Sequence, residues 1–130
     1  MKRVLFVCVH NSGRSQMAES FFNILSKGKA VATSAGTEPA QQANPTVVQA
    51  MLEVGIDIRS QKPKPLTLEM IESADRIITM GCGVEGVCPA SFVPTEEWEL
   101  EDPEREPTEK VREIRDETRA RVEELVKELQ

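Results

Sequence analysis

No stretch of this 130-residue chain approaches the roughly 20 consecutive apolar residues that a membrane-spanning helix needs, so no membrane partner is expected. The opening Met1-Lys2-Arg3 and the apolar run over residues 4–9 imitate the start of a secretory signal. The run is too short for that role, and it ends in His10-Asn11-Ser12-Gly13-Arg14 with no small-residue cleavage site. A cytoplasmic location is therefore expected. Basic residues are outnumbered, 16 Lys and Arg against 22 Asp and Glu, and the net charge of −6 argues against nucleic acid as a partner. Cysteine is scarce. Three thiols in a reducing compartment read as reactive or metal-binding groups sooner than as a disulfide framework. Internal repeats, low-complexity tracts and signs of a second domain are all lacking. The chain reads as one domain, residues 1–130, long enough to build a core without covalent staples.

What is there alternates between strand and helix patterns. Residues 3–8 form a continuous apolar run bounded by turn residues, as in a strand buried on both faces. Met17, Ala18, Phe21, Phe22 and Leu25 then recur at helical spacing, predicting a helix over 14–27. A second strand is expected over 30–35. A helix capped by Asn44 with Pro45 in its first turn should follow, stopped by Gly55. Thr67 should cap a short helix to Ser73, and residues 76–80 give a third buried strand. The glycine-rich stretch 81–89 reads as a loop, 91–93 as a short fourth strand and 96–107 as an acidic loop. The longest helix is expected over 108–129, its stripe of Val111, Ile114, Thr118, Val122, Leu125, Val126 and Leu129 docked on the sheet. The fold expected is α/β, a single domain with a four-stranded parallel sheet and helices on both faces. On such sheets ligands bind at the carboxyl ends of strands, which is where Cys8 falls.

Cys8-Val9-His10-Asn11-Ser12-Gly13-Arg14-Ser15 places a cysteine and an arginine five residues apart between a strand and a helix. Five residues can curl so that the backbone N–H groups of Val9, His10, Asn11, Ser12 and Gly13 converge on a tetrahedral oxyanion. The helix that follows adds the positive end of its dipole. Arg14 supplies a planar fork that matches two oxygens of phosphate or arsenate. That field favours a nucleophilic thiolate at Cys8, to which Ser15 could donate a hydrogen bond.

The loop resembles that of the low-molecular-weight protein tyrosine phosphatase fold, shared by phosphatases and thioredoxin-coupled arsenate reductases. Further matches run along nearly the whole chain: Gln16-Met17-Ala18-Glu19, Ser34-Ala35-Gly36-Thr37, Asn44-Pro45, Gly55-Ile56-Asp57-Ile58, Thr79-Met80-Gly81-Cys82, Cys88-Pro89, and Trp98 followed by Asp102-Pro103. The resemblance implies that Cys8 attacks arsenate. Cys82 would then attack the Cys8 sulfur and release arsenite, and Cys88 would move the disulfide outward to a thioredoxin-like or other thiol reductant. It also makes Asp102 the general acid and Asn11 and Ser34 supports of the loop. Gly81, Gly83 and Gly86 would ease the loop movement that such a relay needs.

Other readings stand beside this one. Cys82 could be strand-end core and Cys88 an idle loop thiol, leaving a plain phosphate monoesterase. Cys8, His10, Cys82 and Cys88 could form a zinc or redox sensor, although their spacing matches no common zinc knuckle and Arg14 sits badly beside a cation. His10, the single histidine, is expected to face solvent, and Trp98 to anchor the Asp102 loop by packing. In some arsenate reductases the residues matching Asn11, Glu19 and Ser34 join an aspartate around a potassium ion. Here Lys64 stands near that aspartate's place and its ammonium could substitute for the ion, so potassium is the one cofactor the resemblance leaves open, as the less favoured reading, and no other metal or cofactor is expected. Gly13 stands where some of these reductases carry a further cysteine, a departure that touches none of the expected catalytic groups.

Overall fold

A computed structural model describes residues 2–80, 95–101, 103 and 105–129. Four strands form one sheet: β1 (Lys2–Cys8), β2 (Ala30–Gly36), β3 (Arg76–Met80) and β4 (Thr95–Glu97). The order is β2-β1-β3-β4 and every pairing is parallel. Among the described residues the helices are α1 (Arg14–Leu25), α2 (Pro45–Glu53), α3 (Leu68–Ser73) and α4 (Thr108–Glu128). No helix among the described residues is long and apolar enough to cross a membrane.

β1 is central, and its alternate side chains enter two cores. Val4, Phe6 and Cys8 face the larger one, shared with α1, α2 and α4, while Leu5 and Val7 join Ile77 and Ala35 under α3. This explains the unbroken apolar run: both faces of the strand are covered. The chain leaves β1 toward β2 and later returns to the other side of β1 for β3, so the order reverses at the carboxyl end of β1, beside Cys8.

The helix boundaries have local causes. α1 stops at Leu25, two residues short of the expected end, because Lys27 and Gly28 both take positive φ, 51° and 83°. The Asn44 side chain caps α2 by accepting from Thr46 N at 2.9 Å, with Pro45 in the first position. Gly55 turns the chain at φ 83°. Thr67 caps α3 through Met70 N at 3.2 Å. α1 also laps over the outer side of β2: the Asn23 amide bonds both the N–H and the C=O of Ala32, at 2.8 and 3.2 Å, and Ser26 Oγ donates to Ala30 O at 3.0 Å.

Two expectations are corrected. The described fourth strand is Thr95–Glu97, which takes in the first two residues of what reads as acidic loop, and residues 91–93 lie outside the described residues. The acidic side chains do not end the pairing because each has a partner. Glu96 meets Arg76 at 3.1 Å and the Trp98 indole N–H at 3.1 Å, and Glu97 accepts from Thr79 Oγ1 at 2.6 Å. The α4 stripe is buried as expected, but its closest neighbours are α1 and α2, so it completes the helical layer over the larger core.

Candidate active site

Residues 8–13 leave β1 and curl back into α1, and six hydrogen bonds fix which way the backbone faces. Cys8 O accepts from Thr37 N, Val9 O from Glu38 N, His10 O from Ala40 N, Ser12 O from Asn44 N and Gly13 O from Met17 N, at 2.8–3.2 Å. Asn11 O accepts from the Gln16 side chain, Nε2, at 3.0 Å. Every carbonyl of the loop is thus turned outward and bonded. This is the orientation that leaves successive N–H groups on the inner side, and it gives the expected anion nest a structural cause.

Asn11 is the hub. It is fully buried and takes φ 53°, which is uncommon for a residue with a side chain but tolerated by asparagine. Its N–H points at Cys8 Sγ, 3.2 Å away. Its Oδ1 accepts from Lys64 N at 2.8 Å, and this sets the amide so that Nδ2 donates to Ser15 Oγ at 2.7 Å. Cys8 Sγ lies 2.8 Å from the same Ser15 oxygen, and once the sulfur is a thiolate only the Ser15 hydroxyl can donate across that contact. The sulfur thus sits at a buried strand end with the Asn11 N–H aimed at it and the Ser15 hydroxyl placed to donate to its thiolate form.

Close packing maintains the curl. A Cβ on Gly36 would lie 2.6 Å from Val9 O and 3.0 Å from the Asn11 backbone nitrogen, so only glycine fits where β2 ends against the loop. On the other side a Cβ on Gly13 would lie 2.8 Å from Pro103 Cγ, so Pro103 rests directly on the loop. Arg14, 6% exposed, donates from Nη1 to Leu100 O at 3.1 Å. Trp98 is buried against Phe6 with ring centroids 5.7 Å apart, which anchors the segment that supplies Leu100.

A small cleft opens over the sulfur, lined by Cys8, His10, Ser12, Gly13, Arg14, Asn44 and Pro103. Of the expected oxyanion residues, Val9 and Asn11 do not line it. Val9 packs toward the smaller core and Asn11 is spent on support. His10 stands at the rim, its Nδ1 3.1 Å from Glu38 O. Ser34 is buried and donates to Glu19 Oε1 at 2.7 Å, and Lys64 Nζ approaches the same oxygen at 3.6 Å. Cys82, Cys88 and Asp102 lie outside the described residues. A roomier cleft lies beside α3, lined by Arg3, Leu5, Thr33 and Met70, but it holds neither the nest nor a thiol.

Sequence reasoning missed Asn44 at the rim and, in the support, Gln16, Gly36, the Lys64 backbone and Leu100 O. Only the Ala35-Gly36-Thr37 break after a strand carried a local signal of close approach. Fold and loop together define a class: a parallel α/β domain whose central strand ends in a cysteine, followed by a loop with outward carbonyls that an arginine closes. The chain belongs to the low molecular weight phosphotyrosine protein phosphatase family, whose model matches residues 3–130. It is 42% identical over 130 residues to the glutaredoxin arsenate reductase of Synechocystis sp., covering 97% of each chain. Among solved structures it is similar to the thioredoxin-dependent arsenate reductase of Corynebacterium glutamicum, at 38% identity and TM-score 0.86. That match covers all of this chain and 62% of the other. The arginine phosphatase YwlE has the same fold at 26% identity and TM-score 0.86, over 98% of this chain and 95% of that one. The chain is accordingly an enzyme on this fold.

Proposed function

We propose that this enzyme reduces arsenate to arsenite through a three-cysteine relay. The observation that carries the reading is the Cys8 sulfur with the Asn11 N–H aimed at it and the Ser15 hydroxyl 2.8 Å away, placed to donate to the thiolate, in a loop whose carbonyls all face away. Its arsenate reductase relatives in Synechocystis and Corynebacterium support the choice of substrate. The described residues lining the cleft include no phenyl, phenol or indole ring. An aryl phosphate would want such a wall, whereas a small inorganic oxyanion does not.

The Cys8 thiolate bonds to arsenic(V) while Asp102 protonates a departing oxygen, which leaves as water. The Cys82 thiolate attacks the Cys8 sulfur, the S–As bond breaks, and its electron pair stays on arsenic, which leaves as arsenite(III). The Cys88 thiolate then attacks Cys82, frees the Cys8 thiolate and leaves a Cys82–Cys88 disulfide. A thioredoxin- or glutaredoxin-like dithiol reduces that bond. Arg14 and the loop amides hold the oxyanion throughout.

No potassium is required in this reading. Glu19 Oε1 already accepts from Ser34 and faces the Lys64 ammonium at 3.6 Å, so a second cation there would meet a like charge. The donor set does not fit the ion. Arsenate turnover should be the same in sodium and potassium buffers.

The deciding experiment runs arsenate turnover with thioredoxin and glutaredoxin systems beside p-nitrophenyl phosphate hydrolysis. Cys88→Ser should release about one arsenite per enzyme and then stall, because the next thiol exchange lacks its attacker. Cys82→Ser should release little without added small thiol. Both should keep whatever phosphoester hydrolysis the wild type shows, since that needs only Cys8, Arg14 and an acid. If both variants cycle normally on arsenate, the extra cysteines are bystanders and the phosphatase reading of the same nest replaces this one.

A further inference from the structure

We infer that Gln16 is a positioning residue for the oxyanion nest: its side-chain N–H stands in for the one backbone donor that the loop lacks, and so holds Asn11 in the conformation that aims its N–H at Cys8. The inference rests on the reading of the Cys8 loop as an oxyanion site and adds a residue to it. Of the six outward carbonyls, five accept from backbone N–H groups of the following segment, of α2's cap and of α1. The sixth, on Asn11, accepts from Gln16 Nε2 at 3.0 Å. Asn11 is also where the backbone takes φ 53° and where an N–H turns onto the sulfur at 3.2 Å. The only side chain in the outer ring of donors therefore acts at the residue in the least relaxed conformation.

A second observation separates this role from ordinary packing. Gln16 is fully buried in α1, and because Nε2 must donate to the Asn11 carbonyl, Oε1 is turned the other way. Oε1 is buried with no hydrogen-bond partner. A buried acceptor left so costs stability, which cancels much of what the bond to Asn11 O contributes to folding, so stability alone gives little reason for glutamine over an apolar side chain of the same shape. What glutamine offers that methionine does not is the N–H on Asn11 O.

Gln16→Met and Gln16→Glu test this on the full chain. Methionine keeps an unbranched shape and exchanges one orphaned acceptor, Gln16 Oε1, for another, Asn11 O. Its thermal midpoint should therefore stay near that of the wild type. Phosphate affinity, measured calorimetrically, should fall about tenfold, the scale of one lost positioning hydrogen bond. Alkylation of Cys8 by iodoacetamide at neutral pH should slow in parallel, as an aimed N–H leaves the sulfur. Gln16→Glu keeps the glutamine outline but puts a carboxylate oxygen against the Asn11 carbonyl, so both losses should be larger. Wild-type phosphate affinity and alkylation in either folded variant overturns the inference. So does faster alkylation, which would make Gln16 a lid on the sulfur, and so do losses no greater than the fall in folded fraction. If wild type itself binds neither phosphate nor arsenate, the reading of the loop fails instead, and the two failures are distinct.

Discussion

The oxyanion loop and the seam between α2 and α4 are both held by polar contacts, yet they are built on opposite rules. In the loop the supporting groups are buried and most bonds have a single maker: Asn11 alone reaches Lys64 N and donates from Nδ2 to Ser15 Oγ, it shares the sulfur only with Ser15, and Gln16 alone reaches Asn11 O. At the seam, Glu53 is shared by Arg112, at 2.6 Å, and Arg115, at 3.0 Å, and Arg115 also donates to Ala50 O at 2.9 Å. The seam is redundant and its Glu53–Arg112 pair meets solvent, so water can replace a lost partner. Nothing replaces one in the loop. A buried group that loses its partner bears its full desolvation cost.

Changes that break this contrast should range from total to slight. Cys8→Ser should abolish arsenate reduction and phosphoester hydrolysis together, since one sulfur begins both; substantial turnover in either assay would remove Cys8 from that role. Next comes Gly36→Ala, whose new Cβ would press on Val9 O and Asn11 backbone that cannot swing aside. Oxyanion binding measured by calorimetry should be lost even where circular dichroism shows a folded chain. Asn11→Ala should lower unfolding stability by roughly 2–3 kcal/mol in urea titrations, mainly by stranding the Lys64 N–H. It should also weaken phosphate binding.

Glu53→Gln should be the mildest, and pH gives it a signature. The hydrogen bond from Arg112, joined by Arg115, holds the Glu53 carboxyl below its ordinary 4.5. Such a group contributes stability above its unfolded value and loses it as pH falls through the lowered one. The gap in thermal midpoint between wild type and variant should thus be small near neutrality and close as the pH falls below the ordinary carboxylate range. A gap that widens in acid would mean that the seam does not depend on this carboxylate. Asp57, held at about 2 first of all by its side-chain bond with Arg59, follows the same sign in a more acid window.

How much of this was legible in the sequence follows from the same contrast. Period and punctuation located β1, α1, α2, α3 and β3 to within a residue or two, because burial on known faces and caps at Asn44 and Thr67 are local signals. Cys8, Arg14 and Ser15 were legible as a spacing. The donors around them were not, since Thr37, Glu38, Ala40 and Lys64 act through their backbones and any side chain could stand there. Gln16 lay in plain view as part of a motif, but its role depends on where the Asn11 carbonyl turns, which no periodicity reports. The strand at 95–97 reads as loop because Glu96 and Glu97 look like loop until Arg76 and Thr79 are seen beside them.

The Asn23 amide, which bonds both backbone groups of Ala32, has a consequence for how the molecule meets its own kind. β2 is an outer strand, and an outer strand usually offers a row of open N–H and C=O groups on which another chain can template. Here Asn23 occupies Ala32, Ser26 occupies Ala30 O, and the 64–66 segment bonds Gly36 through Lys64 O and Leu66 N, at 2.8 and 2.9 Å. The opposite outer strand, β4, is three residues long and carries two carboxylates. A sheet blunted on both sides resists edge-to-edge aggregation. Asn23→Leu, which should leave the distant nest intact, would strip one guard and show itself as concentration-dependent association in light scattering.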